Sequence, residues 1–286
     1  LLWHSRLCVV HLSLDEASET AQRICVGLRI ATDVGKRAGA LSRVSRLEAR
    51  KKDMRTRRDV LRLGGVDIVI ECLGDAELNA KAANALGALC MSDEIAAYVL
   101  SDDVRGVVLS KLEGLAMSQD YYKIGDASFT LGMLVLQVSE PASLFADMTA
   151  LAQHLSTMCT VSIGAENFTE SHRNMRVFVC VLLHKIVVAG SSTTRGIVVD
   201  SGFVGVLLSI LRSPRYRDDL LHIAIATLKV LCSDRALRQQ LLDLRVLACI
   251  IRFSVAIESE AWGLLPAEVA TIKAAAGGIS AQLTTR

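Results

Sequence analysis

The segments AKAANALGALC (80–90), GDASFTLGMLV (125–135), RVFVCVLLHKIV (176–187) and HIAIATLKVLC (222–232) share one pattern. Small or modest residues lead to a leucine, and a second apolar residue follows three positions on. The leucines are Leu86, Leu131, Leu183 and Leu228, at intervals of 45, 52 and 45 residues. Weaker copies, ICVGLRIA (24–31) and AAAGGISAQL (274–283), centre on Leu28 and Ile279. A period near 40–47 residues belongs to arrays of stacked helical units. Each such unit touches only its neighbours and cannot bury its apolar face alone. Ala82, Ala83 and Ala85 then let neighbouring helices lie nearly side by side, while Leu86 and Leu89 fill the space between layers.

Composition points the same way. The chain is 51% hydrophobic, too apolar for a disordered protein. Only 3 prolines and 4% aromatic residues argue against a β-sandwich with its frequent turns. Between the marked segments, RDVLRLGGVDIVIECLGDAE (58–77) reads as a short helix ending at Leu63, a corner at Gly64–Gly65, a second helix Val66–Leu73 and a polar turn. Glycine permits both the corner's backbone angles and close approach. TTRGIVVDSGFVGVLLSILRSPRYRDD (193–219) repeats this with Gly202 at the corner, and DEIAAYVLSDDVRGVVLSKL (93–112) occupies the same place in its copy. RALRQQLLDLRVLACIIRF (235–253) does so without a corner glycine. Longer connections are expected at GLAMSQDYYKIGD (114–126) and STMCTVSIGAENFTESH (156–172).

A short first helix, a Gly-marked corner, a second helix and a longer third helix of A-A-x-A-L-x-x-L type resemble the armadillo repeat family. HEAT repeats are the nearest alternative; the corner glycines and the third-helix signature favour armadillo. The resemblance covers most of residues 15–283. It implies an all-α fold, a right-handed α-α superhelix of armadillo-like solenoid type with about six repeats. The expected divisions are a degenerate N-terminal repeat (1–34), a basic linker or helix (35–57) and an array over 58–286. The array divides at about 58–91, 92–138, 139–190, 191–232 and 233–286.

In nuclear-import adaptors of that family, third helices carry a Trp and, four residues later, an Asn, which together hold basic peptides. Here the Trp-equivalent positions are Asn84, Phe129, Val181 and Ala226, and the Asn-equivalents are Ala88, Met133, Lys185 and Val230. Trp3 and Trp262 lie outside these helices. The ladder is absent, so that ligand mode does not carry over. What remains is a mixed inner surface of Lys81, Asn84, Phe129, Met133, Lys185 and His222, with Lys229 beside them. It suits an amphipathic helix or an extended segment of another protein. A one-step error of register would instead make Phe129, Met133, Val181 and Val230 core.

Charge is concentrated in one place. GKRAGALSRVSRLEARKKDMRTRRDVLR (35–62) has 11 Lys/Arg against 3 Asp/Glu, a net charge of +8 in a chain of net +2. Leu41, Val44 and Leu47 give it a narrow apolar stripe. Lys51, Lys52, Arg55, Arg57 and Arg58 form a candidate basic patch for an anionic partner, nucleic acid or the nuclear-import machinery. A plain solvated helix explains the same charges, since the stretch has no aromatics to stack on bases.

Catalysis is not expected, nor a cofactor or a metal. Gly35-Lys36 lacks the upstream glycine and following Ser/Thr of a phosphate-binding loop. The six histidines are scattered without metal-ligand spacing, and the eight cysteines form no C-x-x-C pair. His184 and His222 read as structural. Asp102–Asp103, Asp218–Asp219, Asp93–Glu94 and Asp234 read as helix-terminal charges. The Asn167-Phe168-Thr169 sequon is a formal match only. His184 and Lys185 interrupt the most apolar run (177–190), short of the roughly 20 apolar residues a membrane span needs. A reducing compartment, cytoplasmic or nuclear, fits the cysteines. Leu1 in place of Met leads one to expect a fragment.

Overall fold

The structure, a computed structural model, describes residues 16–30, 33–47, 51–164, 169–213, 219–257, 264 and 266–284. Among these there are sixteen α-helices and no strand. The chain divides into two compact units at Val99/Leu100.

In the first unit, α1 (Glu16–Ile30) packs on α2 (Val34–Val44), α3 (Lys51–Arg62) and α4 (Gly65–Cys72). The helix α5 (Asn79–Leu89) packs on α4 and α2, and α6 (Asp93–Val99) meets α3. The alanine-rich segment is α5, with Ala82, Ala83, Ala85, Leu86 and Leu89 all buried. Its partner among the earlier helices corrects the expected register. Leu28 sits in α1, among α3 and α4, whereas the helix laid beside α5 is α2. Leu41 of α2 precedes Leu86 by 45 residues, the interval that also separates Leu86 from Leu131 and Leu183 from Leu228. The stripe Leu41, Val44 and Leu47 is buried. Of the two alternatives for 35–57, linker or helix, the segment takes the helical one: it holds most of α2 and the first half of α3, and the division expected at 57/58 falls inside α3.

The two corner glycines have separate reasons. Gly64 has φ 68°, the left-handed region that side chains resist. At Gly65 a Cβ would lie 2.7 Å from Val60 Cγ1 and 2.8 Å from Cys25 Sγ, so α1 and α3 leave no room for one. The Arg29 guanidinium donates to the Leu63 carbonyl, satisfying a group at the end of α3.

The second unit contains two rows of helices. One row runs α8 (Tyr121–Val135), α10 (Glu170–Ala189), α13 (Asp219–Ser233) and α16 (Pro266–Thr284), each packed on the next. The other runs α7 (Asp102–Ala116), α9 (Met148–Gly164), α12 (Phe203–Leu211) and α15 (Val246–Ala256). Short helices α11 (Ser192–Asp200) and α14 (Arg238–Asp243) precede α12 and α15. Leu131, Leu183 and Leu228 lie in consecutive helices of the first row, all fully buried. Burying one such side chain contributes roughly 1.5–3 kcal/mol. The α8–α10 seam is close: a Cβ on Gly125 would stand 3.3 Å from Met175 Cα, and one on Gly132 would stand 3.7 Å from Leu182 Cα.

The connections are shorter than the sequence suggests. Only four residues separate α7 from α8, because the Asp120 carboxylate accepts from the Tyr122 and Lys123 amides and starts α8 at once. Residues 156–164 continue α9 instead of forming a loop. Leu155, Met158 and Cys159 are buried along it. Residues 165–168, with the sequon's Asn167 and Phe168, lie outside the described residues. That repeat has no separate first helix; a 3₁₀ turn, Pro141–Leu144, takes its place. There the Glu140 carboxylate accepts from the Thr194 hydroxyl at 2.5 Å and the Ser191 amide at 3.2 Å, tying the turn to α11. These bonds hold its pKa below the usual carboxylate value.

Corner geometry recurs in the later repeats. Gly202 has φ 86° between α11 and α12, which are bent by 70°. The repeat that lacks a corner glycine uses the same backbone conformation anyway: Arg245, between α14 and α15, has φ 59°. Among the described residues no single helix is long and apolar enough to cross a membrane.

A polar link crosses the row at His184. The Thr227 hydroxyl donates to the Ile223 carbonyl at 2.6 Å, which leaves its oxygen to accept from His184 Nδ1 at 2.9 Å. Burial and then the Lys185 charge lower the His184 pKa. The folded chain therefore holds His184 neutral while the unfolded chain protonates first. Its contribution to stability is present above the ordinary histidine value and is lost as pH falls below it.

Two outcomes are expected. Gly202→Ala, where a Cβ meets nothing within 4 Å, should cost about 1 kcal/mol through backbone strain alone. Arg245→Gly should stabilise by roughly 0.5–1 kcal/mol. Urea unfolding of both variants checks the pair. Separately, the melting temperature should fall as pH drops from about 7 to about 5.5, and His184→Gln should remove part of that fall. Thermal melts across this range read the difference.

Candidate partner-binding surface and the basic segment

Along the α8–α10 seam, on the side of Gly125 and Gly132, α8 carries Phe129 and Met133, one turn apart. On α10 the corresponding side carries Phe178, Val181 and Lys185. All five are half-buried. The Phe129 and Phe178 rings stand 5.2 Å apart, tilted by 42°, a favourable aromatic arrangement. The Lys185 stem passes 3.6 Å from the point a Gly132 Cβ would occupy, and its ammonium lies 3.5 Å from Met133 Sδ. Among the described residues no carboxylate pairs with it. Burial pulls its pKa below the ordinary lysine value.

The structure thus brings Phe129, Met133 and Lys185 together. His222 and Lys229 are exposed on α13, with Ala226 exposed between them and Val230 half-buried. Lys81, exposed, and Asn84, half-buried, are on α5 and belong to the other unit. Phe129, Met133, Val181 and Val230 are neither free surface nor closed core; each keeps part of its side chain open. Sequence reasoning missed Phe178. Its signal was available, since it stands seven residues before Lys185 on the same helical face.

The basic residues of α3 do not act as one patch. Arg57 is the correction: it is fully buried. Its Nη2 donates to the Leu47 carbonyl at 2.6 Å, and its Nη1 meets Met54 Sδ at 3.1 Å. Arg57 thereby closes the end of the α2 stripe onto α3 instead of facing a partner. Arg58 is exposed and pairs with Glu94 at 3.1 Å, an ion pair of the solvated kind that contributes about 0–1 kcal/mol. Arg55 is exposed. Lys51 and Lys52 lie in the first turn of α3, and their side chains fall outside the described residues.

Among the described residues no group of three or more His, Cys, Asp or Glu could hold a metal ion. The seven described cysteines are free and buried. Burial pushes the Cys90 and Cys232 thiols up to about 12, far from the thiolate a nucleophile needs. Asp102 and Asp103 occupy the first turn of α7, Asp93 and Glu94 that of α6, and Asp234 accepts from the Ala236 amide while pairing with Arg195 at 3.3 Å. Asp218 lies outside the described residues.

No family model matches the chain, and no curated protein matches it in sequence. Solved structures do. A crystal structure of an engineered protein superposes with a TM-score of 0.67 at 17% identity, over 94% of this chain and 98% of that one. A designed armadillo repeat protein matches with a TM-score of 0.67 at 15% identity, over 94% of this chain and 100% of that one. Another, in complex with the peptide (KR)4, matches with a TM-score of 0.64 at 15% identity, over 93% and 99%. At such identities the likeness speaks for architecture, and it agrees with the corners and helix rows already described: the chain has the armadillo-repeat fold.

Proposed function

We propose that the chain is a non-catalytic interaction scaffold that holds an extended segment or a helix of another protein on its third-helix row. The observation that carries this reading is the half-open cluster of Phe129, Phe178, Met133, Val181 and Lys185 on adjacent helices. Aromatic anchors set in partly desolvated surroundings are the residues on which interfaces concentrate their energy. A designed protein of the same fold has been solved with a peptide bound, which shows that such an architecture accommodates one. A cytoplasmic or nuclear setting goes with this proposal.

The rival reading places the partner, nuclear-transport machinery or nucleic acid, on residues 35–62. It is weakened by the burial of Arg57 and the pairing of Arg58 with Glu94 and of Arg62 with Asp59. Affinity capture followed by mass spectrometry separates the two. Phe129→Ser should reduce recovered partner roughly tenfold or more while circular dichroism shows the helices intact. Replacing Lys51, Lys52, Arg55 and Arg58 together with Gln should leave recovery within about threefold. Arg57 is left out of that set, because its loss would test the core and not the surface. The reverse pattern would transfer the site to the basic segment.

A further inference from the structure

The binding surface just proposed contains a charge that the fold itself does not answer. Lys185 is half-buried, and its ammonium meets only the Met133 thioether among hydrogen-bond acceptors of the described residues, a weak one. Elsewhere the chain supplies acids to its arginines: Arg58 meets Glu94 and Arg195 meets Asp234. Around Lys185 it supplies none. Beyond Asp126 of α8, Glu170 of α10 and Asp219 of α13, those three helices contain no Asp or Glu, while α10 and α13 carry Lys185, Lys229, His184 and His222. The apolar residues Leu136 and Val188, 52% and 46% exposed, follow one turn after Met133 and Lys185. Apart from Asp126, three residues before Phe129, the stretch of α8 and α10 around Lys185 is apolar with cationic points, and among the described residues no acid pairs with Lys185.

Resting on that binding reading, we infer that the partner segment is acidic: an Asp or Glu side chain sits on Lys185 and an apolar side chain sits on the Phe129–Phe178 pair. A carboxylate fits better than a backbone carbonyl because charge-assisted hydrogen bonds are roughly twice as strong as neutral ones. Partial removal from water strengthens that attraction further. Phe178 and Lys185 are seven residues apart, about 10 Å along the helix axis. An extended chain advances about 3.3 Å per residue, so the acid and the apolar anchor stand within about three positions of each other.

Selection of random 12-residue peptides displayed on phage tests this, using the whole chain and its Lys185→Met, Lys185→Arg and Phe129→Ser variants. Thermal melts first establish that each variant is folded. The expected result is enrichment of Asp or Glu, with an apolar residue within three positions, on the unaltered chain and on Lys185→Arg. That enrichment should vanish on Lys185→Met. In a synthetic copy of the best peptide, replacing the acid with its amide should weaken binding roughly tenfold. Absence of the enrichment, its persistence on Lys185→Met, or tighter binding of (KR)4 than of the selected peptides overturns the acidic partner. If capture then still fails on Phe129→Ser, the binding surface stands and only its ligand chemistry falls. A selection that returns no peptide sensitive to Phe129→Ser overturns both.

Discussion

The helices α8 and α10 approach one another until, at Gly125 and Gly132, little but backbone separates them, and much of the second unit's arrangement depends on this approach. Where α8 meets α10, Gly125 stands against Met175 and Gly132 against Leu182, at distances that admit at most a methyl group. Larger residues there would force the helices apart and strip Leu131 and Leu183 of their surroundings. A repeat has no other core to fall back on, because its apolar surface is closed by its neighbours. The glycines of α8 are thus a packing requirement at this seam.

That requirement also explains what remains open. A helix that gives glycines to its neighbour can seat larger side chains beside them at the edge of the same contact. On α8 those are Phe129 and Met133, which the next helix covers only in part. Lys185 repeats the logic from the other side: its stem fills the space beside Gly132 and carries the ammonium to the edge of the row. Long cationic side chains commonly cover apolar surface in this way while leaving the charge in reach of water. The candidate binding surface is the open edge of that same seam.

Much of the architecture was legible from that spacing alone. The 45-residue interval and the corner glycines Gly64 and Gly202 marked repeats that the structure contains. The first copy was misplaced because two apolar stripes compete near the N-terminus. The one around Leu28 looks more like its counterparts, but the one at Leu41 carries the right interval. Its arginines and lysines drew attention to charge, although its apolar stripe already suggested a helix. Arg57 was read as surface for a similar reason: composition records a charge and says nothing of the Leu47 carbonyl that receives it. The expected loops failed because polar letters such as Ser, Thr and Gln lie along α9, where Thr157 and Thr160 bond back to the Gln153 and Ser156 carbonyls of their own helix.

Arg245 shows how far backbone geometry can outlast its usual residue. The corner between α14 and α15 needs a left-handed residue, as those at Gly64 and Gly202 do, and it has one without glycine. The strain, about 1 kcal/mol, is small beside the burial of Val246, Cys249, Ile250 and Phe253 that the corner makes possible. Tertiary packing therefore holds the corner where local preference opposes it. The same ordering of magnitudes lets one repeat replace its first helix with a 3₁₀ turn and still keep α9 and α10 in their rows. In a solenoid the interfaces between repeats are obligatory, and the local means of reaching them can vary from one repeat to the next.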